Sequence, residues 1–212
     1  MTYLAFDPGK SGGICALDAR GNRVVLLVPM PVMTVRDGKS KSTEYDTDAI
    51  RRIIVEYQFP GAKAVLERQQ DRQGQRRGGD SSVGAFMLLK GICIGVGMPV
   101  VEVHPTTWTT YIYRGMIEQC PSCGLEIVKG VKLVRERTVI RTRGKRAGKR
   151  DIELCRCCPK CMADIDGKLR SIKYCHDHFP GVSLRATKNC TTDADGLADA
   201  LCIAAWEKET GA

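Results

Sequence analysis

No run of apolar residues in this chain approaches the roughly 20 that span a bilayer, so a membrane-spanning helix is not expected. The opening residues, Met-Thr-Tyr-Leu-Ala-Phe-Asp-Pro-Gly, hold no basic leader, no long apolar stretch and no cleavage site. The expectation is therefore a chain without a secretory signal, working in a reducing, cytoplasmic compartment. A disulfide scaffold is also unsupported, because that reading requires a short secreted chain and eleven cysteines would leave one thiol unpaired. Charge imbalance is missing over most of the length. Outside residues 129–150 the chain balances at 23 basic and 23 acidic residues, whereas Lys129 to Arg150 holds ten basic residues against the single acid Glu136. The whole net charge of +9 lies in that one segment, which points to a polyanion contact rather than to general solubility.

What is present is ordinary for a globular protein: 212 residues, 43% hydrophobic and 27% charged, enough for one core and one small satellite. Tyr3 to Phe6, Gly13 to Leu17 and Val24 to Val28 read as three strands, with a turn at Asp7-Pro8-Gly9 and a hairpin turn at Gly21-Asn22. A polar loop rich in Lys, Ser and Thr follows. The stretch Asp46 to Gln58 carries Ile50, Ile53, Ile54 and Tyr57 at helical spacing, capped by Asp46 or Thr47. Lys63 to Glu67 reads as a buried strand, Ser82 to Gly97 as an apolar helix and Pro99 to Val103 as a strand. A helix is expected over Asp166 to His178, and a last one from about Asp195 to Glu209 with Leu197, Ala200, Leu201, Ala204 and Ala205 on one stripe. Helices alternating with strands after a hairpin predict an α/β layer fold with a mixed sheet. Between Met116 and about Ile165 the apolar periodicity lapses into paired cysteines, basic residues and glycines. This divides the chain into a first core part (1–115), an inserted basic domain (116–165) and a returning core part (166–212).

Three places hold acids where a sheet could gather them: Asp7 after the first strand, Glu67 at the end of a later strand, and Asp195 with Asp199, which share a helix face at a spacing of four. Taken singly, each has an ordinary reading as a turn residue, a solvated strand end or a helix cap. Taken together, clustered carboxylates repel one another and are tolerated mainly when divalent cations neutralise them. Phosphodiester cleavage uses such a cluster: two magnesium ions about 4 Å apart activate a water and stabilise the leaving oxygen.

The motifs Phe-Asp-Pro-Gly-Lys-Ser-Gly-Gly, Ala-Val-Leu-Glu-Arg-Gln, Val-His-Pro-Thr-Thr-Trp, Phe-Pro-Gly-Val and Asp-Gly-Leu-Ala-Asp-Ala-Leu-Cys-Ile-Ala occur in this order. Over residues 1–115 and 166–208 the chain thereby resembles the RuvC-like Holliday junction resolvases of phages and organelles. That resemblance implies an RNase H-like fold, a mixed five-stranded sheet flanked by helices. It also implies Asp7, Glu67, Asp195 and Asp199 as catalytic, metal-binding carboxylates for two Mg2+, with Mn2+ as a substitute. The implied products are 5′-phosphate and 3′-hydroxyl ends. The bacterial members space their last acids three apart rather than four, and Asp193 stays a rival for the first position. Members often carry a lysine after the tryptophan, where this chain has Thr109; Lys188 is another source of charge.

The loop after Glu67 is glycine-rich and basic, and it leads into a helix start at Ser81 or Ser82. Arg68, Arg72, Arg76, Arg77, Ser81 and Ser82 are candidate nucleic-acid contacts, since helix N-termini and arginines both suit phosphates; a solvated loop is the alternative. Trp108 reads as a packed anchor. In the insert, Cys120-Pro-Ser-Cys123 and Cys158-Pro-Lys-Cys161 are two knuckles matching a tetrahedral structural Zn2+ site, one ion per chain. Cys155 with Cys158 has the same two-residue gap and stays open as the second pair. Cys175 and His178 could join Cys155 and Cys157 around another ion, although a helix end is the preferred reading. Cys15, Cys93 and Cys202 read as buried thiols. A ribbon this small depends on its metal for stability, and its hairpin would present Arg141, Arg143, Lys145 and Arg146 to DNA backbone.

The leading expectation is a structure-selective endonuclease acting on branched DNA, four-way junctions above all, as a homodimer. The alternatives are an RNA-guided or transposon-associated RuvC-like nuclease, for which the chain is small, and a non-catalytic zinc-ribbon nucleic-acid binder.

Overall fold

The computed structural model describes residues 2–18, 23–38, 40–69, 79–114, 116, 118–119, 123, 126–127, 134–140, 150–156 and 169–211; the side chains of 79–82, 118–119, 126–127, 134–140 and 150–156 are outside the description. The chain divides into two compact units, Met1–Arg114 with Ser171–Ala212, and Gly115–Arg170. The sequence boundaries were 116 and 165.

The first unit opens with β1 (Tyr3–Phe6), β2 (Gly13–Leu17) and β3 (Val24–Pro29), paired antiparallel in succession. The segment expected as a polar loop is instead a hairpin of β4 (Val32–Asp37) and β5 (Ser40–Tyr45), a two-stranded sheet of its own. Its strands alternate without an apolar face, which removes the signal that identifies a half-buried strand. Next comes α1 (Thr47–Glu56), whose cap is Asp46: the carboxylate accepts from the Ala49 amide at 2.9 Å. Then β6 (Lys63–Glu67), α2 (Gly79–Gly95), β7 (Val100–Val103) and α3 (Pro105–Ile112) follow. The start of α2 at Gly79 corrects the expected start at Ser81 or Ser82, which fall inside the first turn. The unit closes with α4 (Leu169–His178), from Ser171 onward, and α5 (Asp195–Thr210). No helix among the described residues is long and apolar enough to cross a membrane.

The main sheet has the order β3-β2-β1-β6-β7, with β6 parallel to β1 and β7 parallel to β6. Three antiparallel strands extended by two parallel ones, with flanking helices, make the RNase H-like mixed five-stranded sheet. β1 is buried at every residue, so its side chains serve both faces. Leu4, Phe6, Ile14, Ala64 and Leu66 pack with Ile50 and Ile54 of α1 and Phe86, Leu89 and Cys93 of α2. α5 packs on β1, β2, β3 and β6 and is buried almost all round, with Asp199 as the half-buried exception between Gly196 and Glu207. The predicted stripe is thus a whole core helix; each fully buried leucine such as Leu197 or Leu201 contributes about 1.5–3 kcal/mol. Gly211, at φ 63°, ends it in a left-handed cap.

In the second unit, β8 (Glu118–Gln119) pairs antiparallel with β9 (Glu126–Ile127), and β10 (Val134–Ile140) with β11 (Arg150–Arg156). Cys155 lies within β11 and Cys123 between β8 and β9. Cys120, Cys157, Cys158, Cys161 and the basic residues Arg141, Arg143, Lys145 and Arg146 lie outside the described residues.

Candidate active site

The register of the sheet brings the first two acids together. The last pair between β1 and β6 is Phe6 with Leu66, so Asp7, the first residue past β1, and Glu67, the last residue of β6, both directly follow that pair. The Asp7 turn is tight: its amide donates to the Gly13 carbonyl at 3.0 Å, and the Gly9 amide to the Asp7 carbonyl at 2.9 Å.

Glycine then brings α5 to this turn. Gly12 and Gly196 form a parallel bridge. A Cβ on Gly196 would sit 2.6 Å from the Gly12 Cα and strike the Ser11 carbonyl, and a Cβ on Gly12 would strike the Asp7 carbonyl. One on Gly13 would lie 2.9 Å from both the Gly196 carbonyl oxygen and Leu197 Cδ2. Only glycine permits this approach, and it seats Asp195, the residue before Gly196, beside the Asp7 turn. An acid in the first turn also suits the positive end of the helix. Asp193, the rival, pairs instead with His176, Nε2 to Oδ2 at 2.8 Å.

Two of the acids are held by groups to which the sequence reading assigned no such task. Trp108, 3% exposed, donates its indole N–H to Glu67 Oε1 at 2.9 Å, and Gln69 donates to Oε2 at 3.1 Å. Burial pushes the Glu67 carboxyl above its ordinary value, against the lowering pull of the Trp108 and Gln69 hydrogen bonds and of nearby His104. Asp199 accepts from the Ser171 hydroxyl of α4. Because Ser171 has one proton and spends it on the carboxylate, Tyr113 is the donor in its contact with Ser171. Tyr113 is the C-cap of α3 and meets Trp108 edge-on at 5.9 Å. One short helix absent from the sequence reading therefore orients Glu67 directly and Asp199 through Ser171. Trp108 is the packed anchor expected, with a polar task added; its spacing after Glu67 gives no hint of that task.

All four donors are carboxylates, the oxygen chemistry that hard divalent cations take, and the backbone delivers them to one end of the sheet. Among the described residues no three Asp, Glu, His or Cys side chains already stand close enough to hold an ion. The four acids are thus candidate donors brought to one end of the sheet by the backbone, with the Glu67 carboxylate held by Trp108 and Gln69 and that of Asp199 by Ser171. Arg68 is exposed directly after Glu67, its amide bound to the Val103 carbonyl at 2.7 Å. Arg72, Arg76 and Arg77 and the side chains of Ser81 and Ser82 lie outside the described residues. Cys175 is buried in α4 with its sulfur 3.9 Å from that of Cys202, so it belongs to the core, as the helix-end reading expected.

No family model matches the chain, and no curated protein matches it in sequence. Among solved structures it is similar to RuvC of Thermus thermophilus, at 13% identity and a TM-score of 0.43, over 100% of this chain and 97% of that one. It is likewise similar to the T. thermophilus RuvC in complex with Holliday junction substrate, at 12% identity and a TM-score of 0.43, over 98% and 92% of the two chains. Likeness at this distance transfers no residue roles, and the site stands on its own geometry.

Proposed function

We propose that the chain is a divalent-cation-dependent DNA endonuclease that cuts branched DNA, four-way junctions foremost, and acts as a homodimer. The observation that carries this reading is the convergence of Asp7, Glu67 and the Asp195–Asp199 helix face at one end of an RNase H-like sheet, through strand register and the Gly12–Gly196 contact. Magnesium held by these carboxylates would supply an activated water and neutralise the leaving oxygen, giving 5′-phosphate and 3′-hydroxyl ends. Asp7 and Glu67 would act from the sheet and Asp195 and Asp199 from α5. Trp108 and Gln69 fix the Glu67 carboxylate, and Ser171 fixes that of Asp199. Arg68 is exposed beside Glu67 and suits a substrate phosphate. A four-way junction presents two symmetric strands, which two sites in a homodimer would cut as a pair.

The second unit fits a zinc ribbon on one observation: the antiparallel pairing of β8 with β9 brackets the Cys120–Cys123 segment, as a metal knuckle on a hairpin requires. Cys158 with Cys161, or Cys155 with Cys158, would complete a structural Zn2+ site. Arg141, Arg143, Lys145 and Arg146 follow β10 in the basic segment and would contact DNA backbone.

The test compares cleavage of a synthetic four-way junction, a flap and a plain duplex in magnesium. Asp7→Asn or Glu67→Gln is expected to drop cleavage to background with junction binding retained, because each removes one ligand charge and leaves the basic surfaces intact. Near wild-type cleavage by either variant would remove the proposed site, and binding without cleavage by the wild type would favour a non-catalytic DNA binder.

A further inference from the structure

The hairpin of β4 and β5 has no part in that chemistry. Among the described residues its strands pair only with each other, and every described residue from Val32 to Glu44 apart from Val35 is exposed. A two-stranded ribbon is at best marginally stable in water, and cross-strand partners share a face. The register Val32–Tyr45, Thr34–Thr43 and Arg36–Lys41 therefore puts two cations, two threonines, a tyrosine and a valine on one face. The hairpin's acids, Asp37 and Glu44, belong to the other face, with Met33 and Val35. Charge is thus sorted by face rather than paired across strands. Arg36 and Lys41 stand directly opposite, a like-charge pair that costs stability in isolation, and among the described residues neither is in a salt bridge. A polyanion laid on that face would offset the repulsion.

The base of the same face reaches the candidate active site. Lys10, three residues after Asp7, donates from Nζ to the Thr43 carbonyl and lies 5.8 Å from the centre of the Tyr45 ring. From Tyr45 to Lys41 the strand advances about 13 Å, the rise of about four base pairs of duplex.

We propose that the Arg36–Lys41 face of the hairpin grips the phosphate backbone of the nucleic acid bound at Asp7, about four base pairs from the cut. This inference rests on the nuclease reading for the position of the cut, and on charge sorting and exposure for the ligand. The experiment measures affinity of the full chain carrying Asp7→Asn for a labelled four-way junction over a range of salt. Each phosphate contact adds about 0.9 to the slope of log affinity against log salt, so adding Arg36→Ser with Lys41→Ser should lower the slope by about 1.8. The charge-keeping pair Arg36→Lys with Lys41→Arg should retain the parental slope. An unchanged slope in the serine variant overturns the proposal, as does a change confined to oligomeric mass, which would mark the face as a contact between copies. The two readings fail separately. Wild type that never cleaves while the slope still falls would sink the nuclease and leave the hairpin's role standing; full cleavage with an unchanged slope would do the reverse.

Discussion

The two units of this chain hold one residue type in different settings. In the unit Met1–Arg114 with Ser171–Ala212, Cys15, Cys93, Cys175 and Cys202 are buried among apolar side chains. Burial pushes the Cys93 thiol up to about 12 and those of Cys15 and Cys202 well above their ordinary value, so they are small hydrophobes at neutral pH. The unit Gly115–Arg170 holds six of the eleven cysteines, and its described elements are two two-stranded sheets, one of them with strands of two residues. Strands that short do not hold themselves in water. A sheet covered by helices can use thiols as packing, whereas a thin ribbon would gain its stability from the thiolates of the proposed zinc site.

The sharpest way to break that comparison is to remove the proposed zinc. Protein purified without chelator is expected to carry about one zinc ion per chain, lost when Cys120 and Cys123 become Ser. Hydrogen exchange should then rise across 115–170 to the level of an unfolded segment, while β1, β6 and α5 keep their protection. Elemental analysis without zinc, or loss of protection in both units together, would show that the second unit is not metal-held.

Next in size comes the support behind the acids in the first unit. Trp108→Phe keeps the ring and removes the indole donor to Glu67, and Ser171→Ala removes the donor to Asp199. Partners of this kind typically matter by about 10–100-fold in metal affinity or activity. The expected signature is a shift of the magnesium dependence of cleavage to higher concentration, with zinc content unchanged. A variant that is merely less stable would lose activity without moving that midpoint, and an unmoved midpoint in both would end the positioning role.

Legibility in the sequence followed the same division. β1, β2 and β6 were readable to the residue because short apolar runs end at Asp7-Pro8-Gly9, at Asp18 and at Glu67. The four candidate acids were picked out by motif, and Gly12 and Gly196, which bring α5 to the turn, lay inside those motifs unrecognised. α3 escaped because four of its eight residues are threonines, poor helix formers, and only Pro105 at its first position announced it. The β4–β5 hairpin escaped for lack of a buried face. Trp108 and Ser171 could be assigned only once folding brought them to carboxylates 41 and 28 residues away in sequence.

The smallest expected effect tests the packing side of the comparison at its weakest point, Glu207. This carboxylate on α5 is 0% exposed, lies 3.4 Å from Lys63 Nζ, and has an Oε2 without a hydrogen-bond partner among the described residues. Desolvation pushes its carboxyl above the ordinary value, and the lowering pull of Lys63 does not restore it. The folded state therefore holds this proton to higher pH than the unfolded chain does. Stability from this group is fully present below an ordinary carboxyl value of about 4.3, and it is lost as pH rises from there through the raised folded value. Glu207→Gln keeps the shape and removes that loss, and Lys63, whose side chain is 30% exposed, stays hydrated. The variant should melt above wild type at neutral pH, by about 2–4 °C for each 1 kcal/mol recovered, and the gap should close towards pH 4. Calorimetry across that range, following the transition that survives chelation, decides it: a variant less stable than wild type at neutral pH would mean that the Lys63 pair outweighs the burial cost.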